Sequence, residues 1–166
     1  GQCNKEMHER LERAMGYSGK EIWANTNVRR LFLLYCLTDA KYFSSIDLGH
    51  AYYQVELEPT IQELTAFSTR ECQYCFNRLP FGLSTAQATF QKLMHVLFKD
   101  LIFKGLVVYL DDILIYGKIL EEHNQRLTEV FNRIKEAVFK IKPEKCKLGK
   151  KELSFLGHTV NEKGVQ

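Results

Sequence analysis

Two adjacent carboxylates, Asp111 and Asp112, stand between two apolar, β-rich runs, Leu106–Leu110 and Ile113–Tyr116. A two-residue hairpin turn ordinarily takes Asn-Gly or Asp-Gly, because its residues need positive φ. Two like charges side by side cost free energy unless a cation or strong donor is at hand. A local rule broken inside otherwise consistent strands marks a functional position. A third carboxylate, Asp47, ends another strand-like run, Phe43-Ser44-Ser45-Ile46. If that strand pairs beside the hairpin, Asp47 and Asp111 face each other. Open carboxylates of this kind suit Mg²⁺, which keeps waters and takes its remaining ligands from substrate phosphates. Two such ions about 4 Å apart activate a 3′-hydroxyl and stabilise a pyrophosphate leaving group. For the hairpin tip taken alone, the alternative is a solvated acidic turn.

The elements that must position these residues follow from periodicity. Phe43–Leu48 reads as a strand ending at Asp47, and Leu64–Ser68 with Tyr74–Leu79 as a hairpin around Arg70-Glu71. Ser84 is a candidate N-cap for a helix to about Phe103, with Phe90, Leu93, Met94, Leu97 and Leu101 on one face. The Asp111-Asp112 pair joins two strands at hairpin spacing. A long helix is expected over about Leu120–Phe139, from Leu127, Val130, Phe131, Ile134 and Val138, and Pro143 ends that region. Leu153–Val160 can form a last hairpin. This order predicts an α+β fold with helices covering one face of an antiparallel sheet. Residues 1–37 differ in character: a short amphipathic helix near 5–15, a break at Gly19 and an apolar cluster, Leu31–Leu34.

Composition narrows the function classes. The longest apolar run, Leu31–Leu37, is seven residues, against the roughly 20 a membrane span requires. The polar first 20 residues do not resemble a secretory signal. An intracellular protein is therefore expected. Five scattered cysteines argue against a disulfide scaffold. Cys72-x-x-Cys75 lacks a second ligand pair for zinc, so two half-buried thiols on a strand are the simpler reading. The net charge of +3 is unevenly spread. Residues 133–151 hold eight basic side chains against Glu136 and Glu144, a local +6 that leaves the remainder at −3. Such a stripe suits a polyanion.

Residues 38–164 resemble the reverse transcriptase palm of LTR retrotransposons, nearest the gypsy type, with retroviral polymerases as more distant relatives. The resemblance is carried by Phe43-Ser-Ser-Ile-Asp-Leu-Gly-His-Ala-Tyr-Tyr-Gln-Val-Glu-Leu57 and Leu79-Pro-Phe-Gly-Leu-Ser-Thr-Ala-Gln-Ala-Thr-Phe-Gln91. It continues in Tyr109-Leu-Asp-Asp-Ile-Leu-Ile-Tyr116, Lys142-Pro-Glu-Lys-Cys-Lys147 and Phe155-Leu-Gly-His-Thr-Val160. It covers about three quarters of the chain.

The resemblance implies a polymerase palm: a ferredoxin-like antiparallel sheet with helices on one face, part of the fingers, and no thumb. It implies RNA-directed DNA polymerase activity with two Mg²⁺ ions, for which Mn²⁺ can substitute. Partners would be an RNA or DNA template with primer and dNTP; the compartment would be cytoplasmic (particle-associated) or nuclear. Asp47 and Asp111 would hold the metals, with the Leu48 carbonyl as a supplementary ligand and Asp112 assisting. The amides of His50 and Ala51 would cradle the triphosphate. Tyr52, five residues past Asp47, would be the steric gate that excludes a 2′-hydroxyl; the other reading is a core aromatic. Phe81 and Gly82 would support the nucleotide, Gly82 by permitting close backbone approach. Gln91, Tyr109 and Leu110 would lie toward template or primer. Lys145 would protonate the leaving pyrophosphate, or be one of the stripe's many cations. Phe155, Leu156, Gly157 and His158 would form the primer grip.

Departures are also legible. Gln87 stands where the family usually has Pro, Thr85 where Asn is frequent, and Ala51 where gypsy elements have Gly. Residues 1–37 show no Asp-Tyr-Arg-x-Leu-Asn-like signature and no spaced basic pair; Arg10, Arg29 and Arg30 are the cations there. The expected organisation is an atypical segment, 1–37, followed by the palm with partial fingers and primer grip, 38–166. The remaining polymerase and RNase H domains are expected to be missing. The competing expectation is an inactive retroelement fragment that at most binds nucleic acid.

Overall fold

A computed structural model describes residues 36–37, 39–83 and 85–166. The expected helix near 5–15, the Leu31–Leu34 cluster, Arg10, Arg29, Arg30 and the Ser84 cap lie outside them. Alternation organises the centre of the fold. In β1 (Tyr42–Asp47) Phe43 is buried on one face of the sheet and Ile46 on the other. Two further strands, Leu106–Tyr109 and Asp112–Gly117, alternate in the same way: Leu106, Val108, Ile113 and Ile115 join Ile46, while Val107, Leu114 and Tyr116 join Phe43.

Between β1 and these strands the chain makes a 3₁₀ turn (Ala51–Gln54), a short helix α1 (Pro59–Gln62) and a second 3₁₀ turn (Glu63–Thr65). A small hairpin follows, β2 (Phe67–Ser68) and β3 (Gln73–Tyr74). Its arms are shorter than the sequence pattern implies. Pro59 starts a helical run that winds through Thr65, which removes Leu64 from the expected strand. Thr69 closes the turn, its Oγ accepting the Glu71 and Cys72 amides. Cys72 and Cys75 flank β3 and are exposed, not half-buried strand residues.

Helix α2 (Ala86–Leu97) buries Phe90 and Met94 and stops six residues before the expected Phe103. Twelve residues already run about 18 Å, and the chain then reverses at Phe103, φ 65°, whose amide bonds the Leu106 carbonyl. That reversal feeds β4 (Leu106–Tyr109), and β5 (Asp112–Gly117) follows. Helix α3 (Leu120–Glu136) buries Val130 and Ile134 against the same face as α2, while Val138 beyond its end is exposed.

A 3₁₀ turn (Pro143–Lys145) leads into β6 (Lys147–Lys150), a wholly exposed strand whose lack of alternation left no strand signature. The order in the main sheet is β4-β5-β1-β6, with all neighbours antiparallel. Strands β7 (Glu152–Phe155), β8 (His158–Asn161) and β9 (Gly164–Val165) form a second sheet. Leu153, Phe155, Val160 and Val165 pack on the face of the main sheet opposite the helices. The fold is thus the expected α+β palm, with one face of the sheet under helices and the other under a small β layer. Among the described residues, no helix is long and apolar enough to cross a membrane.

Candidate active site

Strand register brings the carboxylates together. In the β1–β5 ladder Asp47 lies opposite Asp112, and in the β4–β5 ladder Tyr109 lies opposite Asp112. The two-residue turn is therefore Leu110-Asp111, not Asp111-Asp112; Asp112 is already the first residue of β5. Partners across an antiparallel pair share a face, so Asp47 and Asp112 project to the side away from the helices. Asp111 sits at the turn, where its carbonyl accepts the Leu48 amide at 3.1 Å. Leu48 is fully buried and anchors this contact.

Burial pushes the Asp112 carboxyl above the ordinary value, and the charges of Asp111 and Asp47 push it further, against the opposing charge of Lys145. Lys145 is delivered by the Pro143–Lys145 turn, which is tied to the end of β1 by the Lys142 amide bonding the Asp47 carbonyl at 2.9 Å. Its ammonium donates to Asp47 Oδ2 at 3.1 Å. That hydrogen bond, then the Asp47 charge, raises the lysine above its usual value.

A groove of about 380 Å³ opens beside this cluster, lined by Asp47, Asp112, Glu144, Lys145, Phe155 and Leu156 among others. The expected primer grip therefore adjoins the carboxylates. Its turn, Leu156-Gly157, has φ of 51° and 82° and joins the Phe155–His158 pair, the arrangement a tight two-residue hairpin needs. His158 is buried, and its Nε2 has no hydrogen-bond partner among the described residues.

The residues expected on the nucleotide side begin just after β1. His50, exposed and at φ 52°, turns the chain into the 3₁₀ segment in which Ala51 and Tyr52 are buried. The Tyr52 ring packs 5.0 Å from Phe81, edge-on, and 5.1 Å from Phe90. Burial raises its phenol, with Asp111 and Tyr109 adding to the shift. The side chain is at once a core aromatic and a neighbour of the acidic cluster. Phe81 is exposed, and Gly82 at φ 94° needs glycine for that backbone conformation. A Cβ there would meet nothing within 4 Å, so close packing inside the chain is not the reason for the glycine. Gln91, expected near the template, bonds the protein backbone: its Oε1 accepts the Leu110 amide and its Nε2 donates to the Val108 carbonyl.

Sequence reasoning missed two supporting groups. Gln54 holds the Gly49 carbonyl at 2.6 Å and both backbone groups of Lys140, bracing the turn after β1. Ser44 and His123 are both 0% exposed. The Ser44 hydroxyl meets His123 Nε2 at 2.9 Å and accepts the Gly149 amide at 2.9 Å, joining α3, β1 and β6. A serine on the apolar face of a strand was the available signal.

The donor set fits a hydrated cation. Among the described residues no three His, Cys, Asp or Glu side chains are placed to hold a metal ion by themselves, so water and substrate oxygens would have to complete any coordination. Carboxylates at adjacent strand ends beside an open groove leave positions for water and phosphate oxygens, as Mg²⁺ prefers.

An antiparallel sheet backed by helices, with carboxylates at neighbouring strand ends and a hairpin turn across the groove, is a polymerase palm. The profile of the reverse transcriptase (RNA-dependent DNA polymerase) family matches residues 3–160, and the chain belongs to that family. It is 40% identical over 130 residues to the retrovirus-related Pol polyprotein from transposon 297 of Drosophila melanogaster, covering 78% of this chain and 12% of that one. It is 32% identical over 130 residues to the Pol polyprotein from transposon gypsy of the same organism, covering 78% and 13%. Among solved structures, a foamy viral protease-reverse transcriptase bound to double-stranded DNA aligns with a TM-score of 0.73 at 31% identity, covering 82% of this chain and 24% of that one. A complex of the foamy viral enzyme with an RNA/DNA hybrid aligns with a TM-score of 0.70 at 31% identity, covering 75% and 17%. The chain thus spans a small part of the length of these relatives.

Proposed function

We propose that this chain is the palm of an RNA-directed DNA polymerase from a gypsy-type retrotransposon, joining dNTP to a primer 3′-hydroxyl on an RNA or DNA template. Residues 38–166 form the palm with part of the fingers and the primer grip. The observation that carries this reading is a groove lined by Asp47, Asp112, Lys145, Phe155 and Leu156, with Asp111 in the turn that leads into Asp112. In this reading Asp47 and Asp111 hold two Mg²⁺ ions, with Asp112 beside them. When bound, the ions lower the pKa of the primer hydroxyl and neutralise charge on the leaving pyrophosphate.

The chain's own residues do the remaining work. The turn after β1, at His50 and Ala51, receives the triphosphate. Tyr52, backed by Phe81 and Phe90, lies beneath the sugar. Phe155, Leu156 and Gly157 hold the primer end. The 3′-oxygen bonds the α-phosphorus, the bond to the bridging oxygen of pyrophosphate breaks, and the 3′-hydroxyl proton passes to solvent. In this reading Lys145 gives its proton to the pyrophosphate.

The foamy viral complexes with an RNA/DNA hybrid and with double-stranded DNA support nucleic acid as the partner. Activity would then be cytoplasmic, within a particle, or nuclear. Primer extension on an RNA template with dNTP and Mg²⁺ or Mn²⁺ tests the reading. Asp111→Ala should lower incorporation by about two orders of magnitude or more. Incorporation unaffected by the substitution removes the assignment, and absence of incorporation in the parent chain favours an inactive nucleic-acid-binding fragment.

A further inference from the structure

Among the described residues β4 is an outer strand of the main sheet, and the edge away from β5 meets no further strand, only an isolated bridge between Ile102 and Leu106. Where that edge reaches the carboxylate turn, α2 presents Gln91. Its Oε1 accepts the Leu110 amide at 2.7 Å and its Nε2 donates to the Val108 carbonyl at 3.2 Å. One acceptor and one donor, offered to residues on either side of Tyr109, are what a single residue of a parallel neighbouring strand would supply. The carboxamide therefore extends the sheet by one residue at the point where the turn begins.

That point is strained. Leu110 stands at φ 52°, a left-handed conformation that a leucine keeps only when its surroundings over-determine it. On the far flank of the turn the Leu48 amide bonds the Asp111 carbonyl at 3.1 Å. The turn that carries Asp111 and leads into Asp112 is thus tied by backbone on one side and by a side chain on the other.

We propose that Gln91 is a positioning residue for the carboxylate turn: it holds Leu110 in its left-handed conformation, and through it the direction of Asp111, and it does not contact the template. The inference rests on the reading of Asp111 as a metal-holding carboxylate, and it has a readout independent of that reading. Gln91→Leu removes both hydrogen bonds. Gln91→Glu keeps the acceptor for the Leu110 amide and loses the donor to Val108, and it serves as the second variant if the leucine form does not fold.

In the 166-residue chain, amide hydrogen exchange at Leu110, Mn²⁺ binding by electron paramagnetic resonance, template-primer affinity and thermal midpoint separate the possibilities. Exchange at Leu110 should rise about tenfold in Gln91→Leu and less in Gln91→Glu, as expected for loss of a hydrogen bond worth that factor. Mn²⁺ affinity should fall several-fold, while template-primer affinity stays within about twofold. Unchanged exchange at Leu110 overturns the clamp. Weakened template binding with unchanged Mn²⁺ affinity returns Gln91 to the template. If the parent chain binds no Mn²⁺, the metal reading fails, and exchange at Leu110 still decides the clamp.

Discussion

The Lys145 ammonium donates to the Asp47 carboxylate at 3.1 Å, two residues 98 apart in the chain. A backbone bond from the Lys142 amide to the Asp47 carbonyl at 2.9 Å brings the turn that carries the lysine to the end of β1. Asp47 is 16% exposed and Lys145 56%, which leaves the ammonium free to leave while the carboxylate stays. The lysine supplies a positive charge directly on Asp47 at the edge of the acidic cluster.

Removing this countercharge should favour a metal. Lys145→Met is expected to tighten Mn²⁺ binding by about two- to fivefold, the range for a partly exposed ion pair, while slowing incorporation. Titration of Mn²⁺ against both proteins checks it; equal affinities would show that lysine and metal do not compete for Asp47.

Tyr52 packs against Phe81 and Phe90 and, in the proposed function, also lies beneath the sugar; the two roles can be separated. Tyr52→Phe keeps the ring contacts with Phe81 and Phe90 and should leave the dNTP/rNTP ratio unchanged. Tyr52→Val should raise ribonucleotide use. The truncation also lowers stability, by about 2–4 kcal/mol, so the ratio is read below the variant's melting range. A ratio that does not move in Tyr52→Val refutes the gate.

His123 makes stability depend on pH. Burial holds its imidazole below the ordinary value, opposed by the Asn124 bond and reinforced by the Arg126 charge. Ser44 and the Tyr42 ring face it from β1, the Gly149 amide of β6 bonding the Ser44 hydroxyl and Lys151 lying over Tyr42. The folded state therefore binds fewer protons than the unfolded one just below about pH 6.5. Stability is full above that pH and is lost as pH falls toward the folded-state value, by up to about 1.4 kcal/mol per unit. Urea unfolding at pH 7.5 and 5.5 should show this loss, and His123→Gln should flatten it. An equal loss in the variant would assign the dependence elsewhere.

The exposed edge strand β6 should contribute phosphate contacts. Lys147 lines the groove, and Lys150 is exposed farther along the strand. Replacing both with Ala should reduce the slope of log affinity against log salt by about one to two. A slope equal to that of the parent chain would place the nucleic acid on another surface.

Much of this is legible in the sequence. The apolar, β-rich runs on either side of Asp111-Asp112 located β4 and β5, because strands buried on both faces read as continuous apolar stretches. The helices were legible from Phe90, Met94, Val130 and Ile134, which repeat at helical spacing. β6 was not legible, since an exposed edge strand has no apolar face to alternate. The early end of α2 was not legible either: the width of the sheet, not local propensity, decides where the chain must reverse.

The sequence by itself determined the family, the α+β class and the identity of the acidic cluster, because those rest on residue types at fixed spacing. Tertiary structure decided which carboxylates face each other. Register is a property of pairing between strands far apart in the chain, and a shift of one residue exchanges Asp111 for Asp112 across from Asp47. It likewise decided that Gln91 binds backbone and that Lys145 meets Asp47. A long polar side chain has many rotamers, and only the packed neighbours select one.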